Sequence, residues 1–245
     1  MELLMEYSLR VTPGLLLIAL CYFLLPHKSV AFRIFLLIFG FILVRDVMTP
    51  LGFWQFGTSG GTVWVRFIEN GPLLLTLGAV SLVLTAVILR FNRRFNSYLL
   101  WIGPNKPVSV AVGLAGALVV LAPFFVMYLF VPIGERGGIV PTNLLLPLLC
   151  MALLGNFMEE VLFRGYVQGY LAKLTTAWRA AILSGLLFGA GHIFLASTVT
   201  DLGIAVLLFT VYEGIVCGVV RMKYGIVAST LTHGLTIFVL ASGLI

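Results

Sequence analysis

The chain has very little charge. Only 10% of its 245 residues are Asp, Glu, Lys or Arg, whereas 61% are hydrophobic, and the mean hydropathy is +1.13. A soluble domain carries about 25% charged residues, so this chain cannot cover a water-facing surface. Lipid requires no such cover. Cysteine is also scarce: Cys21, Cys150 and Cys217 lie singly in apolar runs, without metal-ligand spacing, and read as small core or lipid-facing residues. The chain has no His-Glu-x-x-His pair, Walker-type loop or dinucleotide fingerprint, so no nucleotide or redox cofactor is implied. The net charge of +6 comes from basic residues scattered at the ends of apolar runs. Without a basic stripe, it indicates no nucleic-acid partner. The acidic start, Met1 to Glu6, lacks the basic region of a signal peptide, so the first apolar run is expected to be a retained helix.

Long, continuous apolar runs are what the chain does have. They are unlike the short alternating segments of a β-barrel, which leaves helices to satisfy the backbone in hydrocarbon. With about 20 apolar residues needed per crossing, spans fall near 11–27, 30–48, 71–89, 108–131, 144–170, 178–197, 202–221 and 226–245. The expected fold is all-α, a polytopic transmembrane bundle of about eight helices. Residues 49–70, rich in Gly and aromatics such as Trp54, Phe56, Trp64 and Phe67, read as an interfacial loop or half-helix at headgroup depth.

Alternate loops differ in basic content. One set holds Lys28, Arg33, Arg90, Arg93, Arg94, Lys106, Lys173, Arg179, Arg221 and Lys223, and the other only Arg10, Arg45, Arg66 and Arg136. Glu2, Glu6, Asp46, Glu69, Glu135 and Asp201 fall on the basic-poor side. The positive-inside rule then puts the basic loops in the cytoplasm and both termini outside. The expected location is a plasma (inner) membrane, with several passes.

Glu159, Glu160, Arg164 and Glu213 remain inside spans, as do His192 and His233, while His27 sits at a helix end. Ionisable residues at such depth are costly and by default suggest function. Glu160 and Arg164, four apart, face each other on a helix, with the acid on the favourable N-terminal side. Glu159 lies about 100° around the helix and has no local partner, which suits a general base or proton shuttle. Glu159 is therefore expected to react and Glu160 to hold. Counting 1.5 Å per residue from the basic anchors puts Glu160 and His192 about 20 Å deep and His233 about 15 Å deep. One Glu–Arg pair or one intramembrane His is more often structural. Several together at matched depth point to a site, with Glu213 as a further lining candidate.

The pattern Glu159-Glu160-x-x-x-Arg164, then Phe188-x-x-x-His192, then His233 in the last helix resembles the CAAX protease and bacteriocin-processing family of intramembrane endopeptidases. Lys223-Tyr224-Gly225 before the final helix is similar too. The resemblance spans roughly residues 145–240. It implies a division into variable N-terminal helices at 1–143, about four of them, and a four-helix catalytic core at 144–245. It further implies a metal-independent glutamate peptidase acting on a membrane-anchored or transmembrane protein or peptide. Glu159 and His192 would activate water, His233 would stabilise the oxyanion, and Glu160 with Arg164 would position the helix. The family places Asn or Asp four residues after the last His, where this chain has Ile237. Thr236 or Asn156 is expected to supply that hydrogen bond.

Other readings of the same residues are a zinc-dependent membrane hydrolase, zinc being the alternative to no cofactor, a proton-coupled transporter, and a non-catalytic scaffold or immunity protein of the same fold. The polar cluster is confined to one half of the chain, unlike the paired repeats of transporters.

Overall fold

The computed structural model describes residues 2–24, 29–46, 48–193 and 202–245. His27, Lys28, Asp201 and the end of the expected 178–197 span lie outside the described residues. The helices are α1 (Glu2–Leu24), α2 (Val30–Asp46), α3 (Gly71–Phe91), α4 (Lys106–Tyr128), α5 (Thr142–Glu160), α6 (Gln168–Leu174), α7 (Ala177–Gly191) and α8 (Ile204–Ser242). A π-helical segment, Val161–Val167, joins α5 to α6 without a break, making a single rod over Thr142–Leu174. Five of the described helices are long and apolar enough to cross a membrane. The protein is a multi-pass helical membrane protein.

Helix α8 has 39 residues, about 58 Å at 1.5 Å per residue, nearly twice a hydrocarbon core of about 30 Å. It is two spans. Gly225, with φ 86° and ψ 179°, adopts a conformation essentially closed to other residues, and the chain reverses there. The two halves then pack antiparallel. Cys217 Sγ reaches Ser229 O, Glu213 reaches His233 across the same seam, and Val206 and Ala241 share one apolar cluster. Among the described residues, eight helical segments thus stand where the sequence spacing predicts spans, namely α1 to α4, the α5–α6 rod, α7 and the two halves of α8, although α2, with 17 residues, and α7, with 15, are shorter than the others.

The connection after α2 is not the expected interfacial loop or half-helix. It is a β-hairpin, β1 (Trp54–Ser59) paired antiparallel with β2 (Thr62–Phe67) in the register Ser59↔Thr62. Gly60 and Gly61, at φ 53° and 77°, form the two-residue turn whose twist suits a hairpin. The β-branched and aromatic residues around that Gly-Gly pair were the available signal, and the Gly and aromatic content masked it. Phe53, Trp54 and Phe67 pack with Leu74, Leu148 and Ala241. Arg66 fastens the hairpin to the bundle end by donating to Leu240 O, Arg136 O and Gly138 O. Arg136 in turn donates to Val131 O and Ile245 O. These two basic residues are buried clips, not solvated loop charges.

The opposite end gathers the basic loops. Ile226 N and Val227 N donate to Leu100 O and Trp101 O, and Gly103 N donates to Tyr224 O. An added Cβ at Gly225 would meet Ile102 N at 2.6 Å. Gly225→Ala is therefore expected to destabilise the protein by at least about 1–3 kcal/mol from backbone strain alone, read as a lower melting temperature in detergent. An unchanged melting temperature would contradict the sharp reversal.

Candidate active site

The double-glutamate motif stands at the end of α5, where the helix widens into the π segment. Such widening is rare and frequent at functional sites. Ser184 of α7 donates to the Phe163 carbonyl within it, at 2.9 Å, so a neighbouring helix helps satisfy the altered backbone. Two acidic residues in succession cannot face one direction on a helix, and the structure uses both directions.

Glu160, fully buried, faces Arg164 and His233. Arg164 Nη1 is 3.1 Å from Glu160 Oε1, and His233 Nδ1 donates to the same oxygen at 2.9 Å. Arg164 also donates to Gly214 O at 3.1 Å and lies over the Phe188 ring at 4.1 Å. The other nitrogen of His233, Nε2, is 3.5 Å from Glu213 Oε2, so each ring nitrogen faces a carboxylate. Phe188 presses on both imidazoles, its centroid 4.3 Å from that of His192 and 5.3 Å from that of His233.

Glu159 faces the other way. Its Oε2 is 3.5 Å from His192 Nε2. His192 caps the C-terminus of α7 and donates from Nδ1 to Phe188 O at 2.8 Å. That bond leaves Nε2 of the neutral ring as an acceptor turned towards Glu159. Glu159 is not without a partner, as its local sequence suggests: Arg45 of α2 donates from Nη1 to its Oε1 at 2.6 Å, across 114 positions. Helical spacing exposes only neighbours on the same helix, so Arg45 read as a loop cation. Its site role is the one that sequence reasoning missed. The available signal was a basic residue at the C-terminal end of an apolar span, four residues after Phe41, whose ring now lies beneath it.

Beside Glu159 lies a cavity of about 80 Å³, which Glu160 and Arg164 do not line. Arg45, Asn156, Glu159, His192, Glu213 and His233 supply its polar wall, and Trp54, Phe56, Val65 and Phe67 of the hairpin roof it. One water needs about 10–15 Å³, so the cavity can hold water against the carboxylate. Phe188 and Ile237 also line it. Thr236 does not serve as the expected donor, because its hydroxyl is spent on Thr232 O of its own helix. Asn156 does reach the cavity. It is buried, and its Nδ2 has no hydrogen-bond acceptor among the described residues.

Among the described residues, one group of side chains has ligand atoms close enough together for a metal ion. Glu160, Cys217 and His233 bring ligand atoms within 4.8 Å of one another. Glu160 Oε1 is already met by His233 Nδ1 and by the Arg164 guanidinium, whereas its Oε2 accepts no hydrogen bond among the described residues.

Residues 141–239 match the model of the family described as type II CAAX prenyl endopeptidase Rce1-like. This is the CAAX protease and bacteriocin-processing family that the motifs resemble, and Glu159, Glu160, Arg164, His192 and His233 all fall within the matched stretch. No curated protein matches the chain, and no solved structure does.

Removing one partner of a buried ion pair leaves an uncompensated charge, at a cost of about 3–5 kcal/mol. Arg164→Met is expected to lower stability by this amount, and adding Glu160→Gln should recover part of it. Additive losses in a double-mutant melting cycle would show that the pair does not stabilise the bundle as a unit.

Proposed function

We propose that the protein is an intramembrane endopeptidase in which Glu159 and His192 activate a water against a peptide carbonyl. The observation that carries this reading is the facing of Glu159 Oε2 and His192 Nε2 at 3.5 Å on the wall of a cavity roomy enough for water. Both atoms are acceptors. A water on the cavity side of the pair, within hydrogen-bond reach of both atoms, donates one hydrogen to each and turns its lone pairs outward. As its oxygen bonds to the substrate carbonyl carbon, its proton passes to Glu159. When the C–N bond breaks, the same proton is delivered to the leaving amine. The sequence is general base and then general acid catalysis by one carboxyl group, worth about 10²–10⁴-fold.

The carbonyl oxygen gains negative charge in the first step and needs donors aimed at it. Asn156 lies three residues before Glu159 and four before Glu160, hence one turn away and between the two directions they face. Its unpaired amide lines the cavity. With Ile237 in the family's donor position, Asn156 takes the oxyanion role, together with His233 Nε2 in the doubly protonated ring, where Nδ1 donates to Glu160 and Nε2 is free to donate as well. Glu160 and Arg164 fix the His233 ring. No metal takes part in this scheme.

The substrate is a membrane-anchored or transmembrane protein or peptide, unwound where its carbonyl enters beneath the hairpin. The basic end of the bundle faces the cytoplasm of a plasma (inner) membrane, and both termini lie on the hairpin side.

The reading is tested by incubating purified wild type and Glu159→Gln with a membrane-peptide library and identifying products by mass spectrometry. Wild type should cut, and the equally folded variant should lose at least about 10²-fold in rate. No cleavage by wild type would instead favour a non-catalytic scaffold. On any cleaved peptide, Asn156→Ala should lower kcat by about 10²–10³-fold, the usual loss of one oxyanion donor. Exhaustive chelation should leave the rate unchanged. Loss on chelation with recovery by zinc would replace this mechanism with a metal-dependent one.

A further inference from the structure

We infer that Arg45 is a positioning residue for the Glu159 carboxylate, so that α2, outside the stretch carrying the family motifs, completes the site. This inference deepens the peptidase reading and rests on it.

Arg45 Nη1 holds Glu159 Oε1 at 2.6 Å, and both side chains are buried. The terminal torsion of a Glu side chain is broad and roughly two-fold, so an unanchored carboxylate would turn freely. With Oε1 taken, Oε2 is the oxygen left to face His192, and it accepts no hydrogen bond among the described residues. The clamp thus commits one oxygen to position and the other to chemistry. Arg45 is itself held, its guanidinium lying over the rings of Phe41 at 5.6 Å and of Trp54 at 5.2 Å. Trp54 belongs to the hairpin roof, so the clamp also ties the roof to the reacting group.

The groups facing Glu159 are Arg45, His192 and Asn156, with Glu213 and His233 across the cavity. Among them Arg45 is the permanent cation. A buried carboxylate deprived of its cation neutralises by taking up a proton, and a protonated carboxyl is a donor where the proposed water requires an acceptor.

Two readouts test the inference on full-length protein in detergent. The first needs no substrate. Dicyclohexylcarbodiimide modifies protonated carboxyl groups in apolar surroundings and spares carboxylates held in ion pairs. Mass spectrometry should find Glu159 unmodified in wild type and in Arg45→Lys, and modified in Arg45→Gln. Equal modification in wild type and Arg45→Gln would overturn the inference. The second readout uses any peptide that wild type cuts. Arg45→Gln should lower kcat about 10²-fold, the usual cost of misplacing a catalytic group by about 1 Å. KM should stay unchanged, and Arg45→Lys or added guanidinium should restore part of the rate. A change confined to KM would assign Arg45 to substrate binding and overturn the positioning role. If wild type cuts nothing, the peptidase reading fails by itself, while the labelling still decides whether Arg45 governs the carboxylate.

Discussion

Charge taken out of water must be matched by charge, and in this bundle the matching decides which helices meet. An isolated carboxylate in an apolar interior is too costly to persist, and even a good pair only offsets the desolvation of its members. The two adjacent glutamates of α5 require two separate solutions because they point in different directions. Glu160 is met by Arg164 from the next turn and by His233 from the last span. Glu159 is met by Arg45 from the second span and faces His192 from the sixth. Four helical segments are thereby drawn to one point, and His233 extends the network to Glu213 on a fifth.

The fold serves that convergence through backbone close approach. Gly225 lets a long helix double back, which sets Glu213 opposite His233 on one antiparallel seam. Helices α7 and α8 cross with Gly185 against Gly214, where an added Cβ on Gly214 would meet Gly185 O at 3.0 Å. Small residues at such crossings let membrane helices approach closely, and here they bring His192 and Glu213 to the same cavity. The hairpin closes the top. Its face of Trp54, Phe56, Val65 and Phe67 covers the polar wall, and Arg66 fixes it to the carbonyl of Leu240. The result is a small polar chamber inside an apolar shell, in which a dipole or charge acts with less screening than in water.

Much of this was legible in the chain. Apolar runs set the crossings because hydrocarbon permits little besides helices, and a charge within such a run is conspicuous. Glu159, Glu160, Arg164, His192 and His233 could therefore be found without a structure. The pairing of Glu160 with Arg164 was legible too, since four residues make one helical step. Arg45 was not, because its partner is 114 positions away and it sits at a span end, where arginines commonly snorkel to water. The hairpin was hidden because glycines and aromatics suit an interfacial loop as well as a tight turn between strands. The hydroxyl of Thr236 sits on the helix of the last histidine, yet a hydroxyl there bonds its own backbone. Asn156, one turn before the motif, has the reach that Thr236 lacks. Local periodicity reveals what lies along a helix, whereas contacts between helices depend on packing that no single run encodes.

The central claim is that water held by Glu159 and His192 is the attacking group. A single turnover in ¹⁸O-labelled water, with enzyme in excess over peptide, tests it most directly. The account predicts the label in the newly formed carboxylate of the peptide product and none in Glu159. Label recovered in the Glu159 side chain would instead mean that this carboxylate attacks the carbonyl itself, and the water-activation account would be wrong.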